Sequence, residues 1–278
     1  MAEAHVNFDR IGASLDEHRT AVGHEIIAGA LASCGVALPE VQLLDAGGGT
    51  GLFAEALIDQ VGQIDIVDLS NAMLAVAHRR LTEAALTARV RFHHCDMEAL
   101  PFTNNHFDGV MINQVLNHLE SGANDKYPIH HRVLSEAFRV LRPGGVAVIN
   151  CTTQIQKREG FWYYNLIPEC LEAYLPRCIP DGALVDILQS VGFVFEGRTV
   201  PLDAVIMGAR YFESMGPTER LWRQADSIWA TATPGQLGAA VEAVQDMRRE
   251  ETLDGYVAEM DARRPRVGQV TFFRARKP

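Results

Sequence analysis

The chain has 278 residues, 47% of them hydrophobic and 22% charged, and a formal net charge of −10. These are the proportions of an ordinary globular protein, and the acidic balance argues against nucleic acid as main partner, which calls for a basic stripe. No apolar run approaches the roughly 18 residues of a membrane helix, the acidic N-terminus is not a secretory signal, and five scattered cysteines without a C-x-x-C pair give neither a disulfide framework nor a metal site, so a cytoplasmic protein without membrane or metal is expected.

Residues 14 to 31 place Leu15, Val22, Ile26, Ala30 and Leu31 at roughly helical intervals. Residues 1–39 are therefore expected to form a helical cap, closed by Gly35 and Pro39. The first strand, Val41–Leu44, ends in Asp45 and then in Gly47, Gly49 and Gly51, and a helix starts at Leu52. Glycines let the backbone turn sharply and lie close to a ligand, and a helix that begins just afterwards aims free N–H groups at the same space. A second strand, Ile64–Val67, ends in Asp68, an acid placed to accept from a ribose diol. Ser70 then caps a helix through Met73, Leu74, Ala77 and Leu81. A third strand, Val90–His93, leads to Asp96 and Met97, and a fourth, Phe107–Ile112, runs into Asn113. A helix over about 130 to 141 is stopped by Leu141-Arg142-Pro143-Gly144-Gly145, and Val146–Asn150 reads as strand five.

Strands separated by helical segments mean βαβ units, a doubly wound, mostly parallel α/β sheet covered on both faces. Ligands in such sheets sit beyond the carboxyl ends of the strands. Asp45, Asp68, Asp96 and Asn113 all fall at those ends, on one rim. After strand five the sequence turns aromatic over residues 152 to 182. A helix with Leu184, Ile187, Leu188 and Val191 follows, then strand six (Phe193–Val200), and strand seven is Gln269–Arg274. The expected division is a core of residues 40–200 plus 267–278, with a helical insertion at 201–266 on the substrate side.

The glycine spacing separates two cofactor classes. A dinucleotide fingerprint, G-x-G-x-x-G/A, fails because its last position is Leu52. An acid just before the loop opposes a pyrophosphate and suits a cationic ligand. The pattern Asp45-x-Gly47-x-Gly49-x-Gly51 resembles the first motif of class I S-adenosylmethionine-dependent methyltransferases. Further markers follow in order: Asp68-Leu-Ser-Asn-Ala-Met73, Asp96-Met-Glu-Ala-Leu-Pro-Phe102, Phe107-Asp108 and Leu141-Arg-Pro-Gly-Gly145. The set is similar to the small-molecule, ubiquinone-biosynthesis-like branch and covers about residues 40 to 200 and the last strand. The resemblance implies a Rossmann-like seven-stranded methyltransferase fold and S-adenosylmethionine as cofactor. It implies that Gly47 and Gly49 pass the methionine moiety and that Asp68 accepts from the ribose hydroxyls. Leu69 and Met73 would flank the adenine, Asp96 and the Met97 N–H would bind it, and Asn113 would face the ammonium. Asp45 either touches the ligand or braces the loop.

Methyl transfer from a sulfonium is an in-line displacement with a good leaving group, so alignment and exclusion of water do most of the work. A base is needed only where the nucleophile is protonated. His118 is the candidate, with a packing role as its alternative. Phe161, Trp162, Tyr163 and Tyr164, with Tyr211 and Trp222 in the insertion, are candidates for a substrate wall or for core; Arg210, Arg223 and Trp229 stand in the same position. His130 and His131 read as a solvated helix start, and His93 and His94 as structural. The expected activity is transfer of a methyl group to an O, N or C atom of a small organic acceptor in secondary metabolism. A non-catalytic cofactor-binding sensor or scaffold is the alternative, and a homodimer is compatible with either.

Overall fold

The computed structural model describes residues 19–119, 127–224 and 226–278. The start of the expected cap, Leu15 included, lies outside these residues. In the first half, α1 (His24–Leu31), β1 (Gln42–Ala46), α2 (Leu52–Leu57), β2 (Gln63–Asp68), α3 (Asn71–Arg80), α4 (Thr82–Leu86), β3 (Val90–His94) and β4 (Phe107–Asn113) follow one another. Then come α5 (Pro128–Val140), β5 (Leu141–Cys151), α6 (Gln154–Glu159), α7 (Pro168–Tyr174), α8 (Asp181–Val191) and β6 (Val194–Thr199). The chain closes with α9 (Arg220–Gln224), α10 (Pro234–Arg249), α11 (Leu253–Asp261), α12 (Arg264–Val267) and β7 (Thr271–Arg276).

The strands form one seven-stranded sheet in the order β3-β2-β1-β4-β5-β7-β6. It is parallel except at β7, which runs antiparallel to both β5 and β6. Alternation along the buried strands sends successive side chains to opposite faces. Leu44, Val110, Ile112, Ala147 and Ile149 pack with Val133, Leu134 and Ala137 of α5 and Leu184 and Leu188 of α8. Leu43, Met111, Val146 and Val148 pack on the other face with Ile27 and Leu31 of α1 and Ala54 and Leu57 of α2. The sheet order reverses direction between β1 and β4, and that crevice is where an open α/β sheet offers a site.

Local differences from the sequence reading have physical causes. Leu141–Gly145 is the opening of β5 and not only a helix stop: Leu141 pairs with Phe107, and the register then slips before Gly109 meets Val146. Pro143 and Gly144 are tolerated because they sit in that irregularity. β7 begins at Thr271 rather than at Gln269; the Gln269 side chain is instead spent on Ile206 N–H and the Gly160 carbonyl. The Phe107-Asp108 marker is structural. Asp108 accepts from the Gln42 N–H and from Arg142, tying the amino ends of β1, β4 and β5, away from the crevice.

Candidate cofactor and active site

A cavity of about 560 Å³ opens at the carboxyl ends of β1 to β4. Its floor is the glycine loop. Gly47 and Gly48 both donate to the Val67 carbonyl, at 2.8 and 3.1 Å, which pins the loop to β2. Gly47 has φ +73°, and a Cβ there would stand 2.6 Å from the Val115 side chain, so the position admits glycine alone without a shift. Gly49 has φ +56° and nothing within 4 Å of where a Cβ would be. Close packing does not explain that residue; the open space belongs to the cavity.

Asp45 lies beneath the loop, 1% exposed, and not on the cavity wall. Burial, and then the charge of Asp68, pushes its carboxyl from the ordinary 3.8 up to about 7, against the pull of the nearby Asn113 amide. Neither carboxylate oxygen of Asp45 and neither amide atom of Asn113 has a hydrogen bond of normal geometry among the described residues. Buried polar atoms left in this state are costly, and Asn113 is part of the cavity wall. A ligand bearing an ammonium group would supply the missing partner.

The other predicted cofactor residues line the same cavity. Asp68 accepts the Gly49 N–H at 2.9 Å through one oxygen and the Ser70 N–H at 2.8 Å through the other. It therefore shapes the loop as well as lining the cavity. Ser70 caps α3 as its sequence position suggests, accepting from the Met73 N–H. Leu69 is 68% exposed at the rim while Met73 is buried, so they stand on different levels of the wall. Asp96 accepts the Glu98 N–H at 2.9 Å, a turn contact that uses one oxygen and leaves the other; buried Met97 lies beside it.

On the β4 side, sharing Gln114 and His118 with the cavity wall, lies a small inner chamber lined also by Asn117, Lys157, Phe161, Tyr163, Tyr174 and Asp226. Gln114 holds φ +57°, unusual for a residue with a side chain. It is locked there: its amide donates to Asn150 Oδ1 at 2.9 Å and accepts from Thr152 at 3.1 Å, and its N–H donates to the Asn150 carbonyl at 2.7 Å. His118 is half-buried between the two spaces. Burial, with the positive charges of Arg19, Lys157 and Arg177, pushes it down to about 3. The imidazole is neutral near pH 7 and is a weak base there.

Phe161 and Tyr163 reach the inner chamber, whereas Trp162, Tyr164, Tyr211 and Trp222 line neither space. These four are fully buried in an aromatic core with Ile228 and Trp229. Trp162 donates to the Tyr211 carbonyl at 2.8 Å and Trp222 to the Arg210 carbonyl at 3.0 Å. His130 is not a solvated helix start. It is buried, with Nε2 3.0 Å from the Leu116 carbonyl, and so braces the segment that presents His118. His93 is structural, 2.6 Å from buried Asp65. The sequence reading missed Arg19, Gln114, Lys157 and Asp226. A local signal existed only for Lys157, which follows the Thr153–Gln156 capping box of α6.

The family described as "Methyltransferase domain" matches residues 44–149. Among curated proteins the chain is 31% identical over 136 residues to the ubiquinone/menaquinone biosynthesis C-methyltransferase UbiE of Psychromonas ingrahamii. The alignment takes in 46% of this chain and spans about half, 51%, of that relative. Among solved structures, a protein of Anabaena variabilis described as a methyltransferase from an antibiotic biosynthesis pathway aligns with TM-score 0.69 and 18% identity. That alignment covers 90% of this chain and 96% of the other. The [4+2]-cyclase SpnF aligns with TM-score 0.54 and 22% identity, over 91% and 81% of the two chains. These structural likenesses bear on the fold; the sequence match falls on the residues that build the cavity floor. Over residues 44–149 the chain is thus similar to the class I S-adenosylmethionine-dependent methyltransferases, and its seven-stranded topology is that of their fold.

Proposed function

We propose that this chain binds S-adenosylmethionine in the large cavity and transfers its methyl group to a nucleophilic atom of a small organic acceptor. The observation that carries the reading is the order of groups along one sheet edge. Asp96 follows β3, Asp68 ends β2, the glycines follow β1, and Asn113 ends β4, all facing one cavity. The two acids on the β2–β3 side suit a nucleoside. The unsatisfied Asn113 amide on the β4 side suits an amino-acid end. The bound cofactor supplies a methyl group on a sulfonium, with a neutral leaving group. The chain's own part is to hold and align: Asp68 accepts hydroxyl protons, Asn113 and Asp45 favour a cation, and Leu69, Met73 and Met97 cover an apolar ring. Neutral His118 then serves as a hydrogen-bond partner for the acceptor rather than as a general base, the first of the two roles its sequence position left open.

SpnF shows that this fold also carries a reaction named as a cyclisation, so topology by itself does not fix the chemistry. The deciding experiment incubates the protein with S-adenosylmethionine and a panel of phenols, amines, carboxylates and enolisable ketones. Time-dependent S-adenosylhomocysteine that needs both protein and one acceptor supports the reading. Cofactor binding without turnover across the panel would favour the sensor or scaffold alternative, and absence of cofactor binding would remove both.

A further inference from the structure

The chamber behind Gln114 and His118 holds a cation with little to bind. Lys157 is 7% exposed, and among the described residues its Nζ makes one long hydrogen bond, 3.4 Å to the Tyr164 hydroxyl oxygen. The rings of Phe161, Tyr164 and Tyr174 lie 5.0, 5.5 and 5.5 Å from it, within cation–π range, while burial pushes its pKa down from the ordinary lysine value and an anionic partner would restore it. Asp226, the carboxylate that lines the chamber among the described residues, is already engaged. It accepts the Tyr164 hydroxyl proton at 2.6 Å and the Ile228 N–H at 2.8 Å. The Tyr164 proton is thereby directed to Asp226, so the tyrosine oxygen receives from Lys157, and two of the three ammonium protons remain for another acceptor. Arg19 and Arg177 act on His118 with positive charge, as Lys157 does. Among the described residues Lys157 makes no ion pair, in a place where a buried cation is costly unless paired.

We propose that this chamber is the polar subsite for the methyl acceptor and that it takes an anionic oxygen, a carboxylate or its equivalent, bound by Lys157. The proposal rests on the methyltransferase reading for the role of the bound molecule. The chamber has room for about 30 Å³, enough for the oxygen-bearing end of a molecule whose remainder lies in the larger cavity. It is on the β4 side of the crevice, across β1 from Asp68 and Asp96. An acceptor anchored there approaches the methionine end of the cofactor and not the adenosine end.

Calorimetric titration of the protein saturated with S-adenosylhomocysteine tests this with matched pairs: acetate and acetamide, benzoate and benzamide, 4-hydroxybenzoate and its amide. The carboxylate should bind at least about tenfold more tightly than its amide in one pair or more, as a charge-assisted contact requires. In Lys157→Met the preference should fall to within about twofold, while S-adenosylhomocysteine affinity, measured in the same cell, holds. Equal or weaker binding of the carboxylate in every pair, no carboxylate binding at all, or a preference that survives Lys157→Met overturns the proposal. The wild-type comparison decides even if the variant does not fold. Should S-adenosylhomocysteine itself fail to bind, the methyltransferase reading falls, and the same pairs titrated into the unliganded protein still test the chamber.

Discussion

Asp68 is tied to two backbone N–H groups, and that gives its removal two readouts. Asp68→Ala should weaken S-adenosylhomocysteine binding by about 1–3 kcal/mol through loss of a charge-assisted contact. It should also lower the melting temperature of the unliganded protein, because the Gly49 and Ser70 N–H groups lose their acceptor. An unchanged dissociation constant in calorimetry would take Asp68 out of the binding surface. Asp45 makes a pH prediction. The unfolded chain releases this proton near 3.8 and the folded chain near 7, so between those values the folded state holds the extra proton and stability falls as pH rises. Asp45→Asn should therefore stabilise the unliganded protein at about pH 8, by on the order of 1–4 kcal/mol. A cationic ligand favours the charged carboxylate, so S-adenosylmethionine affinity should rise from about pH 5.5 to 7.5 in the wild type and stay flat in the variant. His118 moves the other way. Its folded value is depressed from 6.5 to about 3, so its contribution to stability is present above 6.5 and is lost as pH falls through that window. His118→Gln should leave the pH–rate profile without a missing limb between about pH 5.5 and 8; loss of a limb near neutrality would restore the base.

Among the elements, the strand–loop–helix at Gln42–Leu57 was the most legible, because glycine spacing and a following helix are local facts. The two inner glycines nevertheless differ in a way that only tertiary packing reveals. Gly47 needs its left-handed φ and the absence of a Cβ beside Val115; Gly49 needs the left-handed φ and faces open space. Gly49→Ala should cost about 1–2 kcal/mol of stability from backbone strain alone, while its methyl group narrows the cavity. Gly47→Ala should cost more and unsettle the β4 end. Thermal unfolding beside calorimetry separates them: the Gly49 variant should lose more affinity per degree of melting temperature than the Gly47 variant. Ser70 was readable as a cap for the same local reason. His130 was not, since its burial goes with a contact to the Leu116 carbonyl in the segment after β4. Lys157 was hidden because nothing near it in sequence shows that Asp226 is already satisfied by Tyr164. The role of the aromatic run was also set by long-range partners, with Trp162 turned to Tyr211 and Phe161 to the chamber.

At the scale of the whole molecule, the aromatic core joins chain segments that the sequence assigned to separate units. Residues 161–178, read as part of the cofactor core, pack with Met207, Tyr211, Trp222, Ile228, Trp229 and Ala240 of the insertion. Trp162→Ala should remove a fully buried ring and a hydrogen bond at a cost of about 3–5 kcal/mol, read as a fall in chemical-denaturation midpoint. It should impair acceptor binding through Lys157 and Tyr164 more than it impairs cofactor binding; equal loss of both would argue against that separation.

The antiparallel placement of β7 has a further consequence. β6 finishes and β7 starts at the same border of the sheet, so everything between them emerges beside the crevice and returns there without disturbing strand order. Exchanging that segment should therefore leave the β1–β4 half of the sheet intact, which the circular dichroism spectrum of a chimera would check. The transplantable cassette is nevertheless discontinuous: a chimera that imported only residues 201–266 would orphan the host's Trp162 and Tyr163, and a working swap must carry the stretch around 161–178 along with it.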